Sequence, residues 1–273
     1  MYIRTLCISG LTGSSKSTVA ELIATCLADT PKPGKLRKVI ARDTSGFLDR
    51  SRQKETACGR QLLEMEDARL AGKVLEAGPV IGSINENINW LAGLQDLEVL
   101  LLAGSPRTEP EALFFRQRQA TRFVLIEATE TQVAEAIDFR IKSGKMRADD
   151  GPHTLATKLQ EYRNKILPAM AILPKDKVLR ISRSMSLFER IEATVKHMYV
   201  DDTEQTIIPK YVHDKWLSKL HTRNHPIHAK IREIETGVSA QGSSKLCDKK
   251  GAPKHPAHPA TPLPVGQLTS SFA

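Results

Sequence analysis

Apolar residues in this chain gather in short runs, separated by longer stretches in which they recur at helical spacing. The runs at 2–9, 38–42, 97–103 and 123–127, with a fifth at 177–182, read as strands. Their alternation with helical stretches predicts a parallel five-stranded sheet with helices on both faces, an α/β architecture. The first helix is predicted over 16–28, where Val19, Leu22, Ile23, Cys26 and Leu27 form one stripe and Pro31, Pro33 and Gly34 end it. A second is predicted over 152–166. Leu155, Leu159, Tyr162 and Ile166 share its apolar face, proline stands in the favoured first turn, and Lys158, Arg163 and Lys165 lie opposite. Beyond residue 200 the pattern fades, apart from a short helical spacing of Trp216, Leu217 and Leu220. Residues 237–273, rich in Ser, Pro, Gly, Lys and His, are too polar to offset chain entropy and are expected to be disordered.

Composition narrows the partners. With 273 residues, 40% of them apolar, the chain can fill a core, which excludes a wholly disordered protein. Forty Lys and Arg against 31 Asp and Glu give +9, which points to anionic partners. Aromatics at 5% leave few platforms for stacked bases. Between Asp201 and Ala273, ten Lys and Arg face seven Asp and Glu, so most of the excess charge lies upstream and nucleic-acid binding by the tail is disfavoured. The tail histidines, His213, His221, His225, His228, His255 and His258, lack a fixed ligand spacing. Cys7, Cys26, Cys58 and Cys247 form no CxxC pair, and a reducing compartment is the simpler reading. The apolar runs fall far short of the roughly 20 residues that span a bilayer, and residue 1 leads straight into a strand. A cytoplasmic protein without membrane contact is expected.

The chemistry starts at Gly10-Leu11-Thr12-Gly13-Ser14-Ser15-Lys16-Ser17-Thr18, between the first strand and the first helix. A glycine-rich turn there aims consecutive backbone N–H groups at a phosphate, on the positive end of a helix. Lys16 would reach the β- and γ-phosphates of ATP and the Ser17 hydroxyl would ligate Mg²⁺. The strict pattern has glycine before the lysine; Ser15 stands there, a cost if the backbone needs positive φ. The alternative is an ordinary turn capped by Ser14 or Ser15.

Further segments resemble, in order, the motifs of the adenylate kinase family of nucleoside monophosphate kinases over about residues 2–198. Asp43-Thr44-Ser45-Gly46-Phe47-Leu48-Asp49-Arg50 is similar to the family's Ser-Thr-Gly-Asp-Leu-Leu-Arg segment. Gly104-Ser105-Pro106-Arg107-Thr108 is similar to its Gly-Phe-Pro-Arg-Thr, and Arg147-Ala148-Asp149-Asp150 to its Arg-x-Asp-Asp box. The resemblance implies a P-loop NTPase-type fold over 1–198, with a helical acceptor-binding insertion at about 44–75 and a short lid at about 138–150. Residues 199–273 would be a largely disordered tail. It implies transfer of a phosphoryl group from ATP to a nucleoside monophosphate, AMP first among them, by a monomer using Mg²⁺. Arg50 and Arg107 would bind the acceptor phosphate. Ser45, Gly46, Lys73, Leu75, Gly104 and Glu111 would line the acceptor nucleoside, and Arg140, Arg147 and Lys158 would face the donor phosphates. Asp149 and Asp150 fit either a cap before Pro152 or a lid-closing role.

Departures fall on the same motifs. Besides Ser15, Ala103 stands where the family carries the aspartate that holds Mg²⁺ through water, which implies weakened metal positioning. Lys158 stands for an arginine, keeping charge but losing the bidentate fork. Glu111 stands for a glutamine that reads the acceptor base. The alternative reading is therefore a degenerate member, a sensor or scaffold that binds nucleotide with little turnover.

Overall fold

In the computed structural model the apolar runs become one sheet. The structure describes residues 3–28, 38–93, 97–118, 121–144, 146–147, 149–150, 152–199, 207–208 and 210–236. Among these, β1 (Arg4–Gly10), β2 (Lys38–Asp43), β3 (Leu97–Ala103), β4 (Arg122–Glu127) and β5 (Val178–Ser182) pair in the order β2-β3-β1-β4-β5, all parallel. Parallel strands need both faces covered, which is why their sequences read as nearly continuous apolar runs. Side chains alternate between two cores. Cys7, Leu100, Leu102, Phe123 and Leu125 enter one; Leu6, Ile8, Val99, Leu101, Val124 and Ile126 enter the other.

The first core is covered by the insertion between β2 and β3, comprising α2 (Thr44–Arg52), α3 (Ala57–Glu64), α4 (Glu66–Leu70) and α5 (Ala77–Gly93), and by α6 (Glu109–Arg116) and α7 (Glu130–Lys142). The second is covered by α1 (Lys16–Ala28), which keeps the bounds its stripe predicts, and by α10 (Leu187–His197). Residues 143–151 join α7 to α8 (Pro152–Glu161).

Two expectations need correction. The helix predicted over 152–166 ends its α-helical part at Glu161, passes through a π turn, Tyr162–Ile166, and resumes as α9 (Leu167–Ala171). Pro168 has no N–H to return to the residue four before it, and the Leu167 N–H reaches Tyr162 O, five back, so the turn widens where the ladder breaks.

The second correction concerns the tail. The compact unit runs to Gly237 rather than closing at 198. Here α11 (Lys210–Leu220) and α12 (Pro226–Thr236) bury Val212, Trp216, Leu220, Ile227 and Ile231 against α1 and α10. Each set is spaced four residues apart, one helical face, but the two helices are short and interrupted by polar turns, so the periodicity is weak within any one window. The Ile207 N–H donates to Met198 O at 2.9 Å and starts this return. Residues 237–273, expected to be disordered and including His255 and His258, lie outside the described residues. No helix among the described residues is long and apolar enough to cross a membrane.

This topology decides where a ligand goes. The chain runs from β1 out to β2 and β3 on one side and then crosses to β4 on the other, so the strand ends of β1, β2 and β3 border a crevice at the point where the order reverses.

Candidate active site

Gly10, at the end of β1, adopts φ 148°, and a Cβ on it would lie 2.5 Å from Ile126 O of β4. Only glycine lets the loop leave the sheet so close to a neighbouring strand. Gly13, at φ 76°, has α7 against it: a Cβ there would meet Ala136 Cβ at 2.9 Å. Ser15 has φ 68°, the left-handed region that glycine takes without cost. A serine there carries roughly 1–2 kcal/mol of strain, offset in part because glycine would add ~0.5–1 kcal/mol of unfolded-state freedom. Ser15→Gly is therefore expected to raise unfolding stability by up to ~1 kcal/mol in urea titration; an unchanged midpoint would mean that the loop relieves the strain.

The cleft at the strand ends is lined by Gly10, Leu11, Thr12, Lys16 and Ser17 of the loop, with Asp43 from β2, Ala103 from β3 and Gly104 just after it. Ser45, Lys73 and Arg107 join them, as do Arg147 and Lys158 from the lid side. Residues from five separate segments of the sequence thus face one space. Gly13, Ser14, Ser15 and Thr18 shape the loop without lining the cleft. Ser14 is fully buried, with no hydrogen-bond partner for its Oγ among the described residues.

Lys16 lies at the cleft floor and donates from Nζ to Leu11 O at 3.1 Å. Burial, then the neighbouring Arg107 and Arg147 charges, pull its pKa down to about 7, against a smaller opposing pull from Asp43. Ser17 Oγ donates to Asp43 Oδ1 at 2.7 Å. Arg107 is braced by its Nε donating to Gly104 O at 2.6 Å.

Arg140, Arg147 and Lys158 form a charge network around a buried carboxylate. Asp150 accepts from Arg140 Nη2 at 2.7 Å, from the Arg147 N–H at 3.2 Å and from Lys158 Nζ at 3.4 Å. Lys158 also pairs with Asp149 Oδ2 at 2.8 Å. Burial raises the Asp149 carboxyl, but the hydrogen bond and charge of Lys158 outweigh it and leave the pKa lowered. Both aspartates therefore hold lid cations. Arg140 lines no part of the cleft; it acts on Asp150 and positions the network.

Four predicted acceptor residues lie elsewhere. The Arg50 guanidinium stacks over the Trp90 ring, 3.2 Å from its centroid, instead of facing the cleft. Glu111, 1% exposed, accepts from the Arg107 N–H at 3.0 Å, Ser105 Oγ at 3.2 Å and Thr108 Oγ1 at 3.2 Å. It stands three residues after Thr108, the α6 N-cap, so it closes the helix start and has no edge left to read a base. Leu75 is buried in the first core, and Gly46 lies outside the cleft lining. In exchange, Arg69 of α4, Gly72, Val74 and Glu161 line the cleft. Glu161 Oε2 accepts from the Val74 N–H at 2.8 Å, tying the insertion to α8. Neither Arg69 nor Glu161 falls in a motif; only a folded chain brings them here.

Ser17 and Asp43 supply hard oxygen donors, the set Mg²⁺ prefers when it binds through one carboxylate and substrate phosphates. Among the described residues no cluster of three His, Cys, Asp or Glu forms, so any metal would draw part of its shell from the nucleotide.

No family model matches the chain. Over 154 residues, 50% of this chain and 78% of the relative, it is 26% identical to an adenylate kinase from Brucella abortus (strain S19). The adenylate kinase of Brucella anthropi is 25% identical over the same shares. Among solved structures, a gluconokinase from Sinorhizobium meliloti 1021 superposes with TM-score 0.43 at 16% identity, covering 72% of this chain and 91% of that one. A shikimate kinase from Acinetobacter baumannii superposes with TM-score 0.42 at 12% identity, covering 71% and 92%.

Proposed function

We propose that this chain, whose fold is a P-loop fold of the nucleoside monophosphate kinase type, transfers the γ-phosphoryl group of ATP to the phosphate of a nucleoside monophosphate, AMP first among them. The observation that carries the reading is the meeting of Lys16, Arg107, Arg147 and Lys158 in one cleft at the ends of β1 and β3. Phosphoryl transfer through a loose transition state needs little covalent help; it needs two phosphates in line and their charge neutralised.

Each residue then has a physical task. The loop N–H groups between Gly10 and Ser17 take the β-phosphate at the N-terminus of α1. Lys16 places its ammonium on the transferring group. Arg107, with a planar fork suited to two phosphate oxygens, orients the acceptor. Arg147 and Lys158 approach from the lid side, where Asp149 and Asp150 hold them. Ser17 would hold Mg²⁺ bound with ATP, and the metal would neutralise charge on the donor phosphates. Ser45, Arg69 and Lys73 border the acceptor half, so base selection falls to this edge of the insertion rather than to Glu111. We propose that the protein works as a cytoplasmic monomer, its lid and insertion free to close on the nucleotides.

The test is direct. Purified protein with ATP, Mg²⁺ and each of AMP, GMP, CMP and UMP is expected to form two diphosphates with at least one acceptor. Turnover with none of them sinks the proposal. ATP binding that persists without turnover would favour a nucleotide sensor, a role to which the serine at φ 68° in the loop lends some weight.

A further inference from the structure

Ala103 ends β3 with no carboxylate to offer, at a point that lines the cleft. Across the sheet, the register pairs Ala103 with Asp43 of β2. Neighbouring strands lie roughly 4.8 Å apart, so a side chain on β2 reaches the same space as one on β3. The pairing is held firmly: Thr44, fully buried beside Asp43, donates from Oγ1 to Ala103 O at 3.1 Å.

Two independent features show where the Asp43 carboxylate is directed. Asp43 occupies the N-cap of α2 with extended backbone angles, yet its side chain makes no capping hydrogen bond. An aspartate in that position ordinarily caps. Here it turns to Ser17 and accepts the Oγ proton at 2.7 Å. A serine hydroxyl has one proton; once it is given to Asp43, both oxygen lone pairs are left for a cation on the phosphate side. The other carboxylate oxygen, Oδ2, takes no hydrogen bond among the described residues.

We propose that Asp43 is the metal-positioning carboxylate of this chain. It fixes the Ser17 oxygen towards a hard divalent cation bound with ATP and offers its second oxygen to that cation's water shell, the place of the acid lost at Ala103. The inference rests on the ATP reading of the cleft. It differs from the expectation that Ala103 leaves the metal weakly placed, because it moves the carboxylate one strand across.

The experiment measures binding without turnover. Calorimetry gives the affinity for ATP in EDTA and in Mg²⁺, and electron paramagnetic resonance of Mn²⁺ gives the metal's affinity for the protein–ATP complex. Asp43→Asn keeps an oxygen for Ser17 and so preserves the fold, and it is expected to lower Mn²⁺ affinity ~10- to 100-fold while ATP affinity in EDTA stays unchanged or rises. Asp43→Asn combined with Ala103→Asp is expected to recover most of that loss. Mn²⁺ affinity within twofold of wild type in Asp43→Asn overturns the proposal, as does a variant that loses only acceptor KM. Equal loss of metal-free and metal-dependent ATP binding also overturns it, since it marks a structural bond. Wild-type protein binding ATP equally with and without metal overturns the role of Asp43 and leaves the ATP reading standing. Wild-type protein that binds no ATP in either condition overturns both.

Discussion

Lys16→Met is expected to lower kcat for phosphoryl transfer by ~10²- to 10³-fold, the effect of deleting one preorganised cation from a developing anion. Methionine keeps the length and the apolar stem, so the loop should stay folded. The wild-type pH dependence carries the same argument. A free lysine holds its proton up to pH 10.5, whereas Lys16 holds it only to about 7. Polyphosphate needs the ammonium form, so binding above that pH must bring a proton with it. ATP binding is therefore expected to take up close to one proton at pH 8.5 and almost none at pH 6, read from the buffer dependence of the calorimetric enthalpy. Affinity should fall with rising pH across this window in wild type and stay flat in Lys16→Met. Stability of the free protein moves the opposite way with pH. The unfolded lysine keeps its proton from pH 7 to 10.5 while the folded one does not, so Lys16 makes unfolding harder as pH rises through that interval. A wild-type profile without proton uptake would mean that Lys16 is already charged in the free cleft, with Asp43 closer to it in effect than Arg107 and Arg147.

Trp216→Ala is expected to cost ~3–5 kcal/mol and to lower Tm by about 10 °C, because it empties a large buried site between the second core and α11. Trp216 is 1% exposed and packs in the same core as α1, the helix that carries Lys16 and Ser17. Thermal unfolding followed by circular dichroism checks it. An unchanged Tm would return residues 207–236 to the status of an accessory tail. Loss of stability with unchanged ATP affinity in the surviving folded fraction would show that the return serves the scaffold and not the site.

The strands were legible because a parallel sheet covered on both faces demands runs such as Leu97–Ala103, which few other structures tolerate. The loop was legible because its function is carried by backbone and by a fixed spacing from Gly10 to Lys16. The resemblance places Arg50 and Glu111 at the acceptor by motif position alone. Their side chains were claimed by partners that motif order does not include: an indole forty residues away, and a helix start three residues back. Asp43 stands first in its segment, and nothing in the sequence shows that its carboxylate leaves its own helix uncapped to reach Ser17.

By itself the sequence determined the sheet, the phosphate loop and the order of the segments that meet at its edge, since apolar periodicity and backbone-directed turns are local properties. The tertiary structure alone decided which charged side chains face the cleft and where the folded unit ends. A long charged side chain goes to whichever partner best satisfies it after packing, as Arg50 goes to Trp90, and two weakly periodic helices find their place only when a core face is already there to cover.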